Sequence, residues 1–344
     1  MSLVPFGLKP EISAVVSCYN EEAVLPETTR RLIATLEQIN LPFEIIYVDD
    51  GSKDNTPHVL ASLSASDPRI RVVRLSRNFG HQTAISAGLE YAAGAAVVLI
   101  DADLQDPPEV ISEMVTLWKL GHDVVYGTRR NRDGETAFKT LTAKWFYRAI
   151  NRISEIPIPL DSGDFRLLDR KVVDALVAMP ERDRFTRGMV SWVGFRQVSV
   201  PYDRAPRHAG DSKYTLWRMA RFAADGVLSF SIAPLRLATV MSVAVFAIAL
   251  LVGLTGLGVG LAGGRWMAPW AWALIVVLLL GGAQLLCLGI LGEYLGRAYA
   301  EGKRRPLYFV RETLGFDQPL ARVAESVLTG EQPSPVASTL RVDA

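Results

Sequence analysis

Val97-Val98-Leu99-Ile100-Asp101-Ala102-Asp103-Leu104-Gln105-Asp106-Pro107-Pro108-Glu109 decides the fold class of this chain. Val97 to Ile100 read as a buried strand, and two carboxylates follow at positions i and i+2. Pro107-Pro108 cannot extend a sheet and is well placed to open a helix, so the strand ends at the acids. Carboxylates at the carboxyl edge of a parallel strand stand where open α/β sheets bind ligands. Such an oxygen pair suits a hard divalent cation carrying a diphosphate.

Outward from this stretch, strand and helix patterns alternate. Short, β-branched runs at Ile12–Ser17, Glu44–Val48, Arg71–Leu75, Ala95–Ile100 and Asp123–Tyr126 predict strands. Helix-like segments start between them near Glu21, Asn55, Gln82 and Pro108. The alternation predicts a mostly parallel, Rossmann-like sheet covered by helices. Ala137–Ile153 reads as a further helix and Ile156–Leu160 as a loop. Phe165–Leu168 and Arg196–Val200 complete the sheet with a helical stretch between them, and Asp203–Lys213 reads as a loop over a site.

The remainder has another character. No charged residue occurs from Leu237 to Ala262 or from Trp266 to Leu291, and each run exceeds the roughly 20 residues that cross a bilayer. Arg218, Arg221 and Arg236 precede the first run, and Arg297, Lys303, Arg304 and Arg305 follow the second. The Gly263-Gly264-Arg265 connection carries one charge, which puts both flanks on the cytoplasmic side. Met1 to Pro10 has no signal-peptide pattern, so the expected location is the inner, cytoplasmic membrane with the first domain in the cytoplasm. Tyr214–Phe230 is amphipathic and is expected to lie in the interface. Glu331–Ala344 reads as a flexible tail. The expected division is residues 1–212 catalytic, 213–233 interfacial, 234–295 membrane and 296–344 a cytoplasmic segment with the tail. Net charge of +1 gives no field for nucleic acid. Cys18 and Cys287 form no disulfide framework, and four scattered histidines have no metal-ligand spacing.

Several strand ends carry candidate chemistry. Asp49-Asp50-Gly51-Ser52 can bind a base and ribose, or be an acidic turn. Ser17 to Glu22 opens a helix with outward amides, where Ser17, Tyr19 and Glu21 suit a nucleotide, or simply an ordinary helix start. Arg77-Asn78-Phe79-Gly80 ends the third strand, with Asn78 assigned to the nucleotide together with Asp50, Asp101 and Ala102. Asp101, Asp103 and Gln105 are the metal set. Asp164, and less so Asp161, can orient or deprotonate an acceptor, or form a surface pair with Arg166. Arg187 lies in a segment able to face substrate, and Arg207 and Lys213 flank a glycine loop suited to a phosphate or to anionic lipid heads.

Taken in order, Tyr19-Asn20-Glu21-Glu22, Asp49-Asp50-Gly51-Ser52, Asp101 to Glu109, Arg187-Gly188, Gly210 to Tyr214 and Leu291-Gly292-Glu293-Tyr294 resemble family 2 glycosyltransferases of the polyprenyl-phosphate branch. The resemblance runs from about Glu11 to Val310. It implies a GT-A catalytic domain followed by the interfacial helix and two transmembrane helices, a UDP- or GDP-hexose donor, inversion, and a Mg²⁺ or Mn²⁺ cofactor. It places Asp50 at the nucleoside, Asp101, Asp103 and Gln105 at the metal, and Arg129, Arg207, Lys213 and Arg187 at the acceptor phosphate. Ser17-Cys18-Tyr19 departs from the family's Pro-x-Tyr-Asn-Glu, and a Gln-x-x-Arg-Trp motif of polymer synthesis is absent. The expected reaction is hexose transfer, foremost from UDP-glucose, to undecaprenyl phosphate, with Asp103 and Asp164 as catalytic candidates. GDP-mannose as donor, a neutral lipid hydroxyl as acceptor, and a non-catalytic scaffold are the alternatives. Glycines in the apolar runs (Gly253, Gly256, Gly258, Gly260, Gly281, Gly282) allow a homo-oligomer or packing within one chain.

Overall fold

In the first strand, Ile12–Cys18 (β1), every residue is buried, as a central parallel strand covered on both faces requires. The computed structural model describes residues 9–130, 162–204, 233–262 and 269–316. The expected helix at Ala137–Ile153, the Ile156–Leu160 loop, the Tyr214–Phe230 helix, the Glu331–Ala344 tail, Asp161, Arg207 and Lys213 lie outside the described residues.

The chain proceeds through Leu25–Ile39 (α1), Phe43–Asp49 (β2), Thr56–Ser66 (α2), Ile70–Leu75 (β3), His81–Tyr91 (α3), Ala96–Asp101 (β4), Ile111–Lys119 (α4) and Val124–Arg129 (β5). Ser162–Asp169 (β6), Arg170–Ala178 (α5), Thr186–Trp192 (α6) and Gln197–Tyr202 (β7) come next. The order across the sheet is β7-β5-β6-β4-β1-β2-β3, with β6 antiparallel to both neighbours and the other pairs parallel. The predicted strands are all present; most bounds agree within two residues, but β5 runs three residues past Tyr126 and β6 starts three before Phe165. Two helix starts differ. The helix expected near Glu21 begins at Leu25, because residues after β1 form a turn laced to the β2 end. After Pro107-Pro108 a 3-10 turn, Pro108–Val110, precedes α4.

Two apolar cores, one on each face, hold the sheet. Leu25, Leu32 and Leu36 of α1 share one core with Ile12, Ala14 and Val16 of β1. On the other face Gly88 of α3 sits so close to β1 that a Cβ would lie 2.2 Å from Val15 Cγ1. A side chain there would push the helix off the strands.

Ala233–Leu261 (α7) and Pro269–Gly302 (α8) are long and apolar enough to cross a membrane, and they leave large apolar side chains such as Phe246, Leu257, Leu278 and Leu285 exposed. A Cβ on Gly253, Gly258, Gly281 or Gly282 would meet nothing, so these glycines do not serve packing between the two helices. An eighth strand, absent from the sequence-based expectation, lies beyond α8. Here the chain returns to the sheet as Val310–Leu314 (β8), antiparallel to β3 at the edge. Tyr308 is buried against Glu90, and Phe316 meets Tyr91 edge-on at 5.4 Å. Near the end of α8, Glu301 accepts the Arg182 amide at 2.7 Å and Arg297 pairs with Asp183. The apolar hairpin is thereby tied to the sheet domain at two places.

Candidate active site

At the carboxyl edge of the parallel strands the backbone is turned sharply. Asn20, Gly51 and Leu104 adopt positive φ of 56°, 68° and 57° just beyond β1, β2 and β4. Left-handed conformations at Asn and Leu cost energy and concentrate at ligand sites. Ser52 Oγ accepts the Asn20 amide at 2.9 Å, Asn20 Oδ1 accepts the Lys53 amide at 2.9 Å, and Thr56 Oγ1 accepts the Glu21 amide at 2.9 Å. These bonds join the first two turns, bringing Ser17, Tyr19 and Glu21 beside the Asp49-Asp50 turn.

Register aligns the acids. Ser17 pairs with Asp101 across β1 and β4. The antiparallel β4–β6 register sets Leu99 opposite Arg166, with Asp101 two residues beyond the one and Asp164 two residues before the other. Ser17 Oγ donates to Asp101 Oδ1 at 3.3 Å. Burial raises the Asp101 carboxyl to about 6; His81 opposes this, and the negative fields of Asp164, Asp106 and Asp103 reinforce it. Asp103 Oδ1 accepts the Gln105 amide at 3.1 Å, and the Ala102 carbonyl accepts from Thr28 Oγ1 at 2.7 Å. Ala102 is buried, its side chain part of the core on that face of the sheet.

A crowd of carboxylates at one strand end suits a divalent cation. Among the described residues no three or more His, Cys, Asp or Glu side chains are gathered to hold a metal by themselves. That fits a Mg²⁺-type site, in which one or two carboxylates share the ion with substrate phosphates. Gln105 is engaged otherwise: its Oε1 accepts from Arg204 at 2.6 Å. It would have to leave Arg204 to ligate a metal.

Asp50 is a clamp. Its Oδ1 accepts the Phe79 amide at 2.7 Å and its Oδ2 the Gly80 amide at 2.9 Å. Burial raises its carboxyl, and the two amides oppose the rise. The clamp fixes the turn after β3, where Asn78 is exposed and Arg77 lies 3.9 Å above the Phe79 ring. The same turn delivers His81, the first residue of α3.

Asp164 is an anion hub. Arg187 Nε donates to Oδ1 at 2.8 Å; Arg187 Nη2, His81 Nε2 and Gln82 Nε2 stand 3.2, 3.2 and 3.3 Å from Oδ2. Burial pushes the carboxyl up, but the His81 hydrogen bond and Arg187 hold it well below the usual carboxylate range. A carboxylate so stabilised is a weak base. Burial lowers the affinity of His81 for a proton, yet the Asp164 hydrogen bond and the Asp101 field carry it up to about 9. Burial lowers Arg166 to about 10, and its Nη2 donates to the Gly163 carbonyl at 2.9 Å.

Asp164→Asn is expected to cost about 2–3 kcal/mol, since it leaves the partly buried Arg187 without its anion. The folded-state carboxyl is depressed, so wild type holds this advantage above the unfolded value and loses it as pH falls from about 5. Melting temperatures of both proteins in EDTA from pH 7 to about pH 2.5 check this: the gap must narrow toward acid, mostly below about pH 4.

The last wall of the site is basic. Arg129 ends β5 beside Tyr202 of β7, and its buried Nε finds no partner among the described residues. Tyr202 packs over Gly127, edge-on to Phe165 at 5.7 Å, and its hydroxyl donates to Asp106. Arg204 reaches Asp106 at 3.9 Å as well as Gln105. Sequence reasoning missed His81, Gln82, Tyr202 and Arg204. Position alone could have found His81, because it directly follows the turn after a strand whose end borders the site.

Comparison with known proteins agrees with this arrangement. The Glycosyl transferase family 2 profile matches residues 13–177. An uncharacterized glycosyltransferase of Synechocystis sp. is 48% identical over 89% of this chain and 96% of its own length. The chain belongs to glycosyltransferase family 2. Within the family, a bactoprenol glucosyl transferase of Shigella phage SfV is 40% identical over 88% of this chain and 98% of its own. A prophage bactoprenol glucosyl transferase homolog of Escherichia coli is 39% identical over the same shares. Among solved structures, glucosyl-3-phosphoglycerate synthase from Mycobacterium tuberculosis, in complex with Mn²⁺, UDP-glucose and phosphoglyceric acid, aligns with TM-score 0.45 and 21% identity. That alignment covers 64% of this chain and 79% of the synthase. This family 2 member has an α/β domain built on a mostly parallel sheet, followed by two long apolar helices.

Proposed function

We propose that this family 2 glycosyltransferase moves a hexose, foremost glucose from UDP-glucose, to the phosphate of a membrane polyprenol such as undecaprenyl phosphate. The observation that carries the reading is the joining of an acidic strand-end site to two apolar helices through Arg182, Arg297 and β8. Exposed apolar faces of this size are unfavourable in water, so the hairpin belongs in a bilayer, and the inner membrane with the sheet domain in the cytoplasm follows from the basic flanks. The names of the bactoprenol relatives support a polyprenol acceptor. An isoprenoid tail cannot leave the bilayer, so the site must stand at its surface. A homo-oligomer through the open glycine faces of α7 and α8 is compatible with this reading.

Asp101 and Asp103 would hold Mg²⁺ or Mn²⁺. Bound there, the ion neutralises charge on the departing nucleoside diphosphate. Tyr19, Glu21 and the Asn78 turn, fixed by Asp50, would receive the nucleoside. Arg187 and Arg129 would receive the acceptor phosphate, with Arg207 and Lys213 joining from the following loop. A phosphomonoester loses its second proton near pH 6, so the attacking oxygen is already ionised at neutral pH. Positioning and leaving-group electrostatics are then the larger contributions, and the weak basicity of Asp164 is no handicap.

The test is transfer of label into lipid. Purified protein, undecaprenyl phosphate and one labelled donor at a time (UDP-glucose, UDP-galactose, UDP-N-acetylglucosamine, GDP-mannose) are incubated with Mn²⁺ or with EDTA. Transfer from UDP-glucose alone, abolished by EDTA, is the expected result. Transfer from GDP-mannose would replace the donor assignment. Absence of transfer from every donor, in folded protein, would return the scaffold alternative.

A further inference from the structure

Ser17, Asp101 and Asp164 belong to β1, β4 and β6, with Ser17 opposite Asp101 in register, and one side chain from another element lies within 4 Å of all three. The His81 ring has Nδ1 3.1 Å from Ser17 Oγ, and Nε2 3.2 Å from Asp164 Oδ2 and 3.7 Å from Asp101 Oδ1. Ser17 Oγ passes the contact on to Asp101, and Asp164 passes it on to Arg187. Gln82 strengthens the second branch, bonding Asp164 through Nε2 and the Thr186 amide, at the start of α6, through Oε1 at 2.8 Å.

A histidine at a helix start is often only a satisfied structural residue. Two observations separate this one. Its ring contacts belong to three different strands, and its side chain is 42% exposed, so it contributes little packing and faces the open edge. Gly80 precedes it at φ 101°, held by Asp50, so the turn is built to deliver this residue.

We infer that His81 is a positioning residue that ties the metal side of the site, Ser17 and Asp101, to the acceptor side, Asp164 and Arg187. The inference rests on the reaction proposed above. Outer partners of metal ligands fix ligand orientation, and their loss typically weakens metal binding by about 10–100-fold. The link would hold the ion and the acceptor phosphate at one mutual distance.

The test reads the two sides separately. Mn²⁺ binding in the presence of UDP is measured from the free-ion EPR signal, and KM for undecaprenyl phosphate from initial rates. His81→Ala, with its melting temperature preserved, is expected to weaken Mn²⁺ binding about tenfold or more and to raise the acceptor KM. His81→Asn keeps a polar group near the Nδ1 position and is expected to recover Mn²⁺ binding only. His81→Gln carries its amide toward the Nε2 position and is expected to recover the acceptor KM only. His81→Ala with both quantities within about twofold of wild type, or with only one of them changed, overturns the link. Wild type that binds no Mn²⁺ overturns the metal reading and this inference with it; wild type and His81→Ala binding equally overturns the inference alone.

Discussion

Asp103→Ala is expected to lower kcat/KM by about a thousandfold or more while leaving the melting temperature nearly unchanged. Asp103 lies beyond the last residue of β4, outside both cores, and the Gln105 amide that it accepts has other acceptors in water. In the proposed reaction it would help hold the metal at the departing diphosphate, and loss of that charge stabilisation would cost several kcal/mol. About 4 kcal/mol corresponds to that thousandfold. Asp164→Asn should lose far less activity, about tenfold, despite its larger cost in stability. A phosphate nucleophile needs no strong base, and Asp164 is already occupied by Arg187, His81 and Gln82. Steady-state rates for both variants, with melting curves to confirm folding, decide the ranking. Comparable losses would mean that Asp164 takes a proton after all and that the acceptor is a hydroxyl.

The second large effect falls on a residue that touches no substrate. In Gly51→Ala the new Cβ would lie 2.4 Å from the Arg77 carbonyl carbon and 2.7 Å from the Asn78 nitrogen, at φ 68°. Both contacts are with backbone, so no rotamer change relieves them. The left-handed conformation costs about 1–2 kcal/mol and overpacking about 1–3 kcal/mol more, so a total of about 2–5 kcal/mol is expected. The turn from residue 77 to 80 must move, and with it the Asp50 clamp and the start of α3. UDP binding, measured by calorimetry, should be lost in whatever protein remains folded. Gly121→Ala is the control: φ is 94° there, but a Cβ would meet nothing. It should show the conformational cost alone and keep UDP binding. Equal behaviour of the two variants would show that close approach of the β2 and β3 turns does not matter.

The sequence made the donor half of the site legible for a simple reason. Each of β1 to β4 is a short, mostly apolar and β-branched run leading into a polar turn, so its end marks the sheet edge. Ser17, Asp50, Asn78 and Asp101 could be read as neighbours because parallel strands all end on the same side. The Asp101–Asp103 pair and the two uncharged runs announced metal and membrane chemistry in the same local way. Family membership rests on the same ordered stretches.

What stayed hidden was which acids are engaged, and by whom. Asp50 and Asp101 look alike in sequence, yet one clamps two backbone amides and the other stands in a crowd of carboxylates. Asp164 reads as a possible base, but Arg187 and His81, distant in the chain, remove its basicity. β8 is a short run with charges in it, and nothing local marks it as the strand that brings α8 back to β3. By itself the sequence determined the parallel α/β domain, the acidic edge, the apolar hairpin and the family, because apolar periodicity and strand-end position are properties of contiguous residues. Only the tertiary structure decided the hydrogen-bond partners of Asp50, Asp164, Gln105 and His81 and the attachment of the hairpin. Hydrogen bonds and charge fields act between residues that only the fold brings within a few ångströms.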